Sequence, residues 1–426
     1  MVLHDKQYEA YVQILKEELI PAFGCTEPIA LAYAATIAAR ELGKYPTRVL
    51  VEVSGNIVKN VKSVIVPNTG GMNGIEAAVA AGIVAGKSEK KLEVIADIEE
   101  RQIADIRRFM ECTRIQVDLA DSDYIFDIGV ILFSEEESVK VRIVGEHTNV
   151  VLIEHNGRII LKKDITADRT ASDMTDRSVL NIQDIVEFAN IAEIADVQEI
   201  LDRQIAYNMA IAQEGMKNNY GANIGKVLLH TYGNDVKTKA RAYAAAGSDA
   251  RMNGCSLPVV ICSGSGNQGI TASVPVIVYA MELGIEKDRL YRALLVSNLA
   301  TIHQKTGIGR LSAYCGAISA GCGSGAGIAY LLGDGYEEIS HTLVNGLAIV
   351  SGIICDGAKA SCAAKIATAV DAGIMGYAMY KQGQQFHAGD GIVAKGIEEN
   401  ILNIGLLAKE GMRETDKEIL TIMTRK

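Results

Sequence analysis

Apolar residues recur at intervals of three and four from Gln7 to about Leu42, which predicts two helices on either side of the break "PAFGCTEP". The first ends near Leu19, and the second, "IALAYAATIAAREL", is stopped by Gly43. From about Arg48 to Asp164 the texture changes to β-branched runs with period-two alternation: "VLVEVSG", "SVIVPNTGG" and "VKVRIVGEHTNVVLIEHNGRIIL". A small-residue helix at "GIEAAVAAGIVAG" and another near "DIEERQIADIRRFME" interleave with these strands. The polar stretch "DITADRTASDMTDRSV" then reads as a linker. From Ile182 onward the helical period returns in segments rich in Gly, Ala and Ser, whose small side chains let helix backbones approach closely. The fold class expected is therefore α+β. Helices in residues 1–45 pack back onto an all-helical domain at 180–426, with a smaller α+β domain inserted at 46–165.

Composition narrows the function classes. The 426 residues, 49% hydrophobic, suffice for two or three domains with real cores. The balance of 42 Lys+Arg against 52 Asp+Glu leaves a net charge of -10 without a basic run, which argues against nucleic acid or an anionic membrane as partner. The N-terminus is charged and amphipathic, unlike a secretory signal, so a cytoplasmic protein is expected. Apolar stretches such as "SLPVVICSGSGNQGITASVPVIVYAMELG" are broken by polar residues before the roughly 18 needed to cross a membrane, and read as buried helices. Eight cysteines in such a chain should be free thiols, used for metal, cluster or catalysis, or simply for packing.

Four stretches gather polar or reactive groups in apolar, Gly-rich surroundings, as a buried small-molecule site requires. In "FGCTEP", Cys25 precedes a helix N-terminus, where partial positive charge favours a thiolate; a plain buried cysteine is the simpler account. In "CSGSGNQGITAS", Ser263, Ser265, Asn267 and Gln268 lead into a helix and suit an anion; the loop lacks the lysine of a phosphate-binding P-loop, and a plain connecting loop fits as well. Arg251, just upstream in "GSDARMNG", has the fork geometry to bind a carboxylate. In the middle region, "GNIVKN", "VPNTGG" and "GEHTNV" place Lys59, Asn60, Asn68, Thr69, His147, Thr148 and Asn149 at strand ends, where they close over a pocket or simply form turns. Finally, "LSAYCGAISAGCGSG" and "ICDGAKASC" carry Cys315, Cys322, Cys355 and Cys362 without a CxxC or a histidine partner. That excludes zinc-finger spacing and leaves an iron-sulfur cluster or core packing.

Together these strings, in this order through nearly the whole chain, resemble the L-cysteine desulfidase family, which is related to the alpha part of iron-sulfur L-serine dehydratases. The resemblance runs from "EELIPAFGCTEPIALA" through "GNIVKN", "VPNTG", "GEHTNVV", "SDARMNG", "SGSGNQGITA" and "RLSAYCG" to "SGIICDGAKASCAAK". It implies a helical catalytic domain holding an oxygen-sensitive 4Fe-4S cluster on three cysteines, with one iron open to substrate. Cys315 and Cys355 match the family's ligands most clearly, and Cys362 is the third by resemblance to the dehydratases. In the desulfidases Cys25 is itself essential, as ligand or as the group that works on the substrate. Cys112, Cys255, Cys262 and Cys322 match no ligand position and are assigned to the core. The reaction implied is elimination from a small amino acid: L-cysteine to hydrogen sulfide, ammonia and pyruvate, or L-serine to ammonia and pyruvate. Cys25 and then Lys59 are the expected bases for the α-proton. Arg251, Ser263, Ser265 and Asn267 would hold the carboxylate, with Gln268 and Asn60 nearby, while Asn68, Thr69, His147 and Thr148 close from the smaller domain. Two other readings are a pyridoxal phosphate lyase using Lys359 and a non-catalytic iron-sulfur sensor. A homodimer is expected because two-fold assemblies are the commonest.

Overall fold

The computed structural model describes residues 5–165, 174–309 and 311–425. The centre of the expected linker, residues 166–173, lies outside them. The chain begins with α1 (Asp5–Glu18), then β1 (Pro21–Phe23) and α2 (Thr26–Leu42), which ends at Gly43 with φ of 69°. A left-handed residue after a helix is where glycine costs least, and it satisfies the last turn by donating to Ala39.

A six-stranded sheet follows, in the order β3-β2-β4-β5-β6-β7. Its strands are β2 (Arg48–Val53), β3 (Arg114–Leu119), β4 (Asp127–Ser134), β5 (Glu137–Val144), β6 (Val150–His155) and β7 (Arg158–Lys162). The β2/β3 pair is parallel and the others are antiparallel. Alternate residues Ile128, Val130 and Leu132 on β4, and Val139, Val141 and Ile143 on β5, are fully buried, which fixes the register to one covered face. Between β2 and β3 lie α3 (Gly55–Val61), α4 (Gly74–Ala85) and α5 (Glu100–Cys112).

Two expectations change here. "GNIVKN" is the short helix α3 rather than a strand end, and "SVIVPNTGG" keeps only an isolated bridge between Ile65 and Asn73. The N-terminal helices also part company. Tyr8 and Tyr11 of α1 pack their rings on Phe188 of α6 (Ile182–Ile191), with centroids 5.2 and 5.3 Å apart, so α1 does join the helical body. In contrast, α2 packs on β4, β5 and α4. Its alanines leave a smooth face, and Gly82 of α4 sits so close to the Ala32 carbonyl that a Cβ would stand 2.2 Å from it. Such proximity favours α4 over a helix with larger side chains. By packing, α2 belongs with the sheet.

The remainder is helical: α7 (Gln198–Lys217), α8 (Ile224–Tyr232), α9 (Val236–Met252), α10 (Gly266–Leu283), α11 (Lys287–Ile308), α12 (Gly316–Leu331), α13 (Tyr336–Val350), α14 (Cys362–Lys381), α15 (Ile397–Leu406) and α16 (Arg413–Thr424). One short strand, β8 (Pro258–Val260), pairs antiparallel with β1 and stitches the N-terminal segment to this body. The helix α12 is buried on every side from Ala317 to Leu331, packed by α10, α11, α13 and α14, as expected for a helix that is apolar all round.

Its contact with α14 is backbone against backbone: a Cβ on Gly373 would lie 2.3 Å from the Gly321 carbonyl oxygen. Gly373→Ala should therefore destabilise the fold by about 1–3 kcal/mol, because overpacking against rigid backbone outweighs the ~1 kcal/mol helix-propensity gain. A chemical-denaturation midpoint equal to or above wild type would contradict this contact.

Candidate active site

The β1/β8 pairing sets the first part of the site. It lays Gly24, Cys25 and Thr26 beside the turn from Cys262 to Ser265, where Thr26 Oγ1 donates to the Gly264 carbonyl at 3.2 Å. Cys262 and Ser265 exchange backbone hydrogen bonds of 3.1 and 3.2 Å, and the two residues between them, Ser263 and Gly264, have φ of 49° and 81°. Two successive positive φ values are the requirement of a type I′ turn. The turn delivers Ser265 as the N-cap of α10. Glycine at 266 is required by a close approach: a Cβ there would stand 2.3 Å from Arg251 Nε. Arg251, buried at the end of α9, donates from Nε to the Gly24 carbonyl at 3.0 Å and from Nη1 to Asn267 Oδ1 at 3.2 Å.

The second part joins two distant cysteine segments. Cys315 N donates to the Ile353 carbonyl at 3.2 Å, and Cys355 N to the Ala313 carbonyl at 2.6 Å, flanking an antiparallel bridge between Tyr314 and Ile354. This ladder sets Cys315 and Cys355 side by side. Cys315 is the N-cap of α12, and Cys362 opens α14 with its Sγ directed at the Gly357 carbonyl, 3.6 Å away. Cys25 is the N-cap of α2, its Sγ 3.9 Å from Met252 Sδ.

All four thiols line one cavity of about 100 Å³. Lys59, Asn60, His147, Arg251, Ser265, Asn267 and Gln268 line it as well. The first turns of α2, α10, α12 and α14 meet at this cavity, and their exposed N–H groups and dipoles favour negative charge inside it. His147 reaches it from the β5/β6 turn, its ring set edge-on to Phe126 with centroids 4.8 Å apart.

Four expected binding residues lie outside this lining. Asn68, with φ of 57°, donates to the Ala96 carbonyl at 2.8 Å, and Thr69 Oγ1 donates to the Val66 carbonyl at 2.6 Å. Both shape the bend that seats Pro67 against Gly24. The Thr148 carbonyl accepts from Val150 N at 3.0 Å within the β5/β6 connection. Ser263 lines a neighbouring, larger cavity of about 790 Å³ that shares Lys305 and Leu311 with the first. Lys359 is held by Asp356 at 2.5 Å and by the Gly357 carbonyl at 3.0 Å, away from the lining, so nothing favours it as a Schiff-base lysine. Among the cysteines assigned to the core, Cys255, Cys262 and Cys322 are buried, whereas Cys112 is exposed at the end of α5.

The sequence reading passes over Glu27, yet it sits in the cavity wall within the first turn of α2. Its carboxylate accepts from Thr26 Oγ1 at 3.0 Å and from Asn60 Nδ2 at 3.2 Å. The signal was present in "CTEP": an acid in the first turn of a helix that is apolar or small through most of the turns that follow. Asn56 and Tyr314 also line the cavity unforeseen.

The electrostatics differ from group to group. Burial pushes the Cys25 thiol up to about 12, outweighing the charge of Arg251, so Cys25 is a thiol here and not the thiolate expected from its helix-start position. Cys355 is the opposite case. The hydrogen bond from Cys315, with the charges of Lys59 and Lys359 and the Gly357 N–H, brings it down to about 5 against its burial. Cys315 is correspondingly driven well up, by that same hydrogen bond and by burial. Burial also raises Cys362. Burial raises the Glu27 carboxyl above its ordinary range despite Arg251 and its hydrogen bonds. Against burial, hydrogen bonds from Lys359 and Lys365 hold Asp356 down at about 2, so an anion flanked by two ammonium groups braces the loop that carries Cys355.

Among the described residues, no three His, Cys, Asp or Glu side chains converge as they would on a single metal ion. A cluster makes a different demand, since each thiolate binds its own iron and the ligands stand apart. Cys315, Cys355 and Cys362 line one cavity ringed by helix N-termini, and so supply three thiol side chains to such a group. None of the described helices is long and apolar enough to cross a membrane.

Residues 89–421 match the family model described as "Serine dehydratase alpha chain". That span contains Arg251, the Ser265 turn, Cys315, Cys355 and Cys362; Cys25, Glu27 and Lys59 precede it. Full-length relatives cover those as well. The chain is 62% identical over 425 residues to a UPF0597 protein of Desulfitobacterium hafniense, covering 99% of this chain and 98% of that one. It is 49% identical over 417 residues to one from Lachnoclostridium phytofermentans, with 98% and 99% covered. A UPF0597 protein of Treponema denticola is 46% identical over 432 residues, with both chains fully covered. The chain belongs to the serine dehydratase alpha chain family.

Proposed function

We propose that this protein is a lyase that eliminates the β-substituent of a small L-α-amino acid, with L-cysteine plus water going to hydrogen sulfide, ammonia and pyruvate. The observation that carries this reading is the meeting of Cys315, Cys355 and Cys362 on the cavity that also presents Arg251 and Glu27. The three cysteines would hold a 4Fe-4S cluster, which when bound supplies a Lewis-acidic iron for the leaving sulfur or oxygen.

The chain's own residues supply the rest. A guanidinium has five N–H donors, so Arg251 retains donors for the substrate carboxylate after bonding to Gly24 and Asn267. Asn267 and Gln268, at the start of α10, add polar contacts beside that positive end. Glu27 accepts the α-proton: it is the cavity carboxylate, and burial gives it more basicity than a surface acid has. Cys25, kept protonated by burial, serves as proton donor to the departing group rather than as base. Lys59, salt-bridged to Asp416, presents an ammonium to the anionic centre of the site rather than a free base.

The aminoacrylate left after elimination tautomerises and hydrolyses to pyruvate and ammonia. L-Serine is the second reading, favoured by the family description itself. The deciding experiment is anaerobic reconstitution with iron and sulfide, then assays of sulfide and pyruvate on each amino acid. Sulfide from cysteine supports the desulfidase and pyruvate from serine alone moves the reading to the dehydratase. With neither product the proposed reaction falls.

A further inference from the structure

Two polar side chains of α3, Asn56 and Lys59, and Lys62 just after it are held by the far end of the chain, whereas Asn60 turns to Glu27. Lys59 Nζ forms an ion pair with Asp416 of α16, and Asn56 Nδ2 donates to the other oxygen of the same carboxylate at 2.8 Å. Lys62 Nζ donates to the Met423 carbonyl at 2.5 Å, and Leu420 lies over Gly55, where a Cβ would stand 2.3 Å from its Cδ2. Both Asn56 and Lys59 line the candidate active site. Lys59 is only 2% exposed, so its ammonium depends on this partner.

Little else of α16 is committed to the body. Of its residues only Ile419 is buried, Ile422 is 61% exposed, and the helix is joined to α15 by the π-helical turn Leu407–Gly411. Its packing is against α3 and that turn. An apolar anchor this small does not explain why α16 sits where it does, whereas a carboxylate shared between two cavity residues does.

We infer that Asp416 is a positioning residue of the active site: α16 docks on α3 so that one carboxylate fixes Lys59 and Asn56 in the cavity wall. The inference rests on reading that cavity as the active site, and it makes a helix 357 positions away in sequence a working part of it. Gly357, in the loop after Cys355, packs with φ of 94° on the Lys59 carbonyl, so a shift of α3 would be felt by that loop as well.

The test uses the full-length protein and two readouts. Asp416→Asn keeps the shape and removes the charge. In hydrogen-deuterium exchange of the protein without added iron, it should speed exchange across residues 55–61 and in α16 while leaving α12 and α14 unchanged. Leu420→Asp, which undocks α16 without touching the carboxylate, should do the same. In turnover, Asp416→Asn should lower kcat about 10- to 100-fold with a smaller change in KM, the usual range for a partner that orients a working group. Lys59→Met should lose as much, and the double variant no more than Lys59→Met alone, since residues that act as a unit are not additive. Additive losses, or unchanged exchange over residues 55–61, would overturn the inference. If wild type turns over neither amino acid, the proposed reaction fails by itself and the exchange experiment alone decides the positioning role.

Discussion

Serine in place of Cys355 is expected to abolish turnover and the visible absorption of the reconstituted protein together, while the chain remains folded. Cys355 is the one cavity thiol already brought down to about 5, by the Cys315 hydrogen bond, Lys59, Lys359 and the Gly357 N–H. Metal binding requires the deprotonated ligand, so this is the position where ligation releases least proton free energy. A serine hydroxyl stays protonated in the same surroundings and offers no soft donor. The half-buried loop around it is tied by backbone hydrogen bonds to Ala313 and by Asp356 with its two lysines, none of which needs the sulfur. Circular dichroism and thermal unfolding of the apoprotein should thus match wild type. Cys112→Ser, at an exposed thiol far along α5, should leave absorption and turnover as they are. Cys25→Ser separates roles: absorption retained with turnover lost marks a proton-transfer group, and loss of both marks a ligand. A Cys355→Ser protein that kept its absorption and its activity would remove the cluster reading.

The second large effect is expected at Glu27. Glu27→Gln should lower kcat about 10²- to 10⁴-fold, the usual worth of a positioned general base, with cluster absorption intact. It should also leave the protein at least as stable as wild type near neutral pH. Burial raises the folded-state carboxyl pKa above its unfolded value. A raised group contributes its stability at pH below the unfolded pKa and loses it as pH climbs through the folded one, so at neutral pH the ionised carboxylate is held at a cost that glutamine does not carry. Stability given up at a functional group is a familiar trade. The pH profile offers an independent check. Wild-type kcat/KM should rise with pH through an acidic limb displaced above the ordinary glutamate value, and that limb should vanish in the variant. Wild-type kinetics in Glu27→Gln, or a fall in stability without loss of rate, would assign the residue to structure alone.

Much of this protein was legible without coordinates. The alternation that predicts β2, β5 and β6, the alanine-rich period of α2 and α4, and the glycine stop at Gly43 are local patterns, and each element formed where they placed it. The strings around Cys315, Cys355 and Cys362 gave the family resemblance, and all three thiols line one cavity. The failures have a common cause. Seven residues of α3 are too few for helical periodicity to outweigh the nucleation cost, so its β-branched residues read as strand until α16 and α2 pack against it. Three residues at Pro21–Phe23 carry no strand signal without β8, some 237 positions later. Asn68 and Thr69 have the chemistry of a binding site and the hydrogen bonds of a turn, which residue type cannot separate.

By itself, then, the sequence determined which segments are helix or strand over long stretches, and which residue types are available for chemistry, because both follow from local periodicity and composition. Tertiary structure alone decided that the first turns of α2, α10, α12 and α14 meet at one cavity. It also decided that burial pushes the Cys25 thiol up while a neighbouring cysteine brings Cys355 down, and that Asp416 holds Lys59. Burial, field and partner are properties of what surrounds a group in space, and residues hundreds of positions apart supply them.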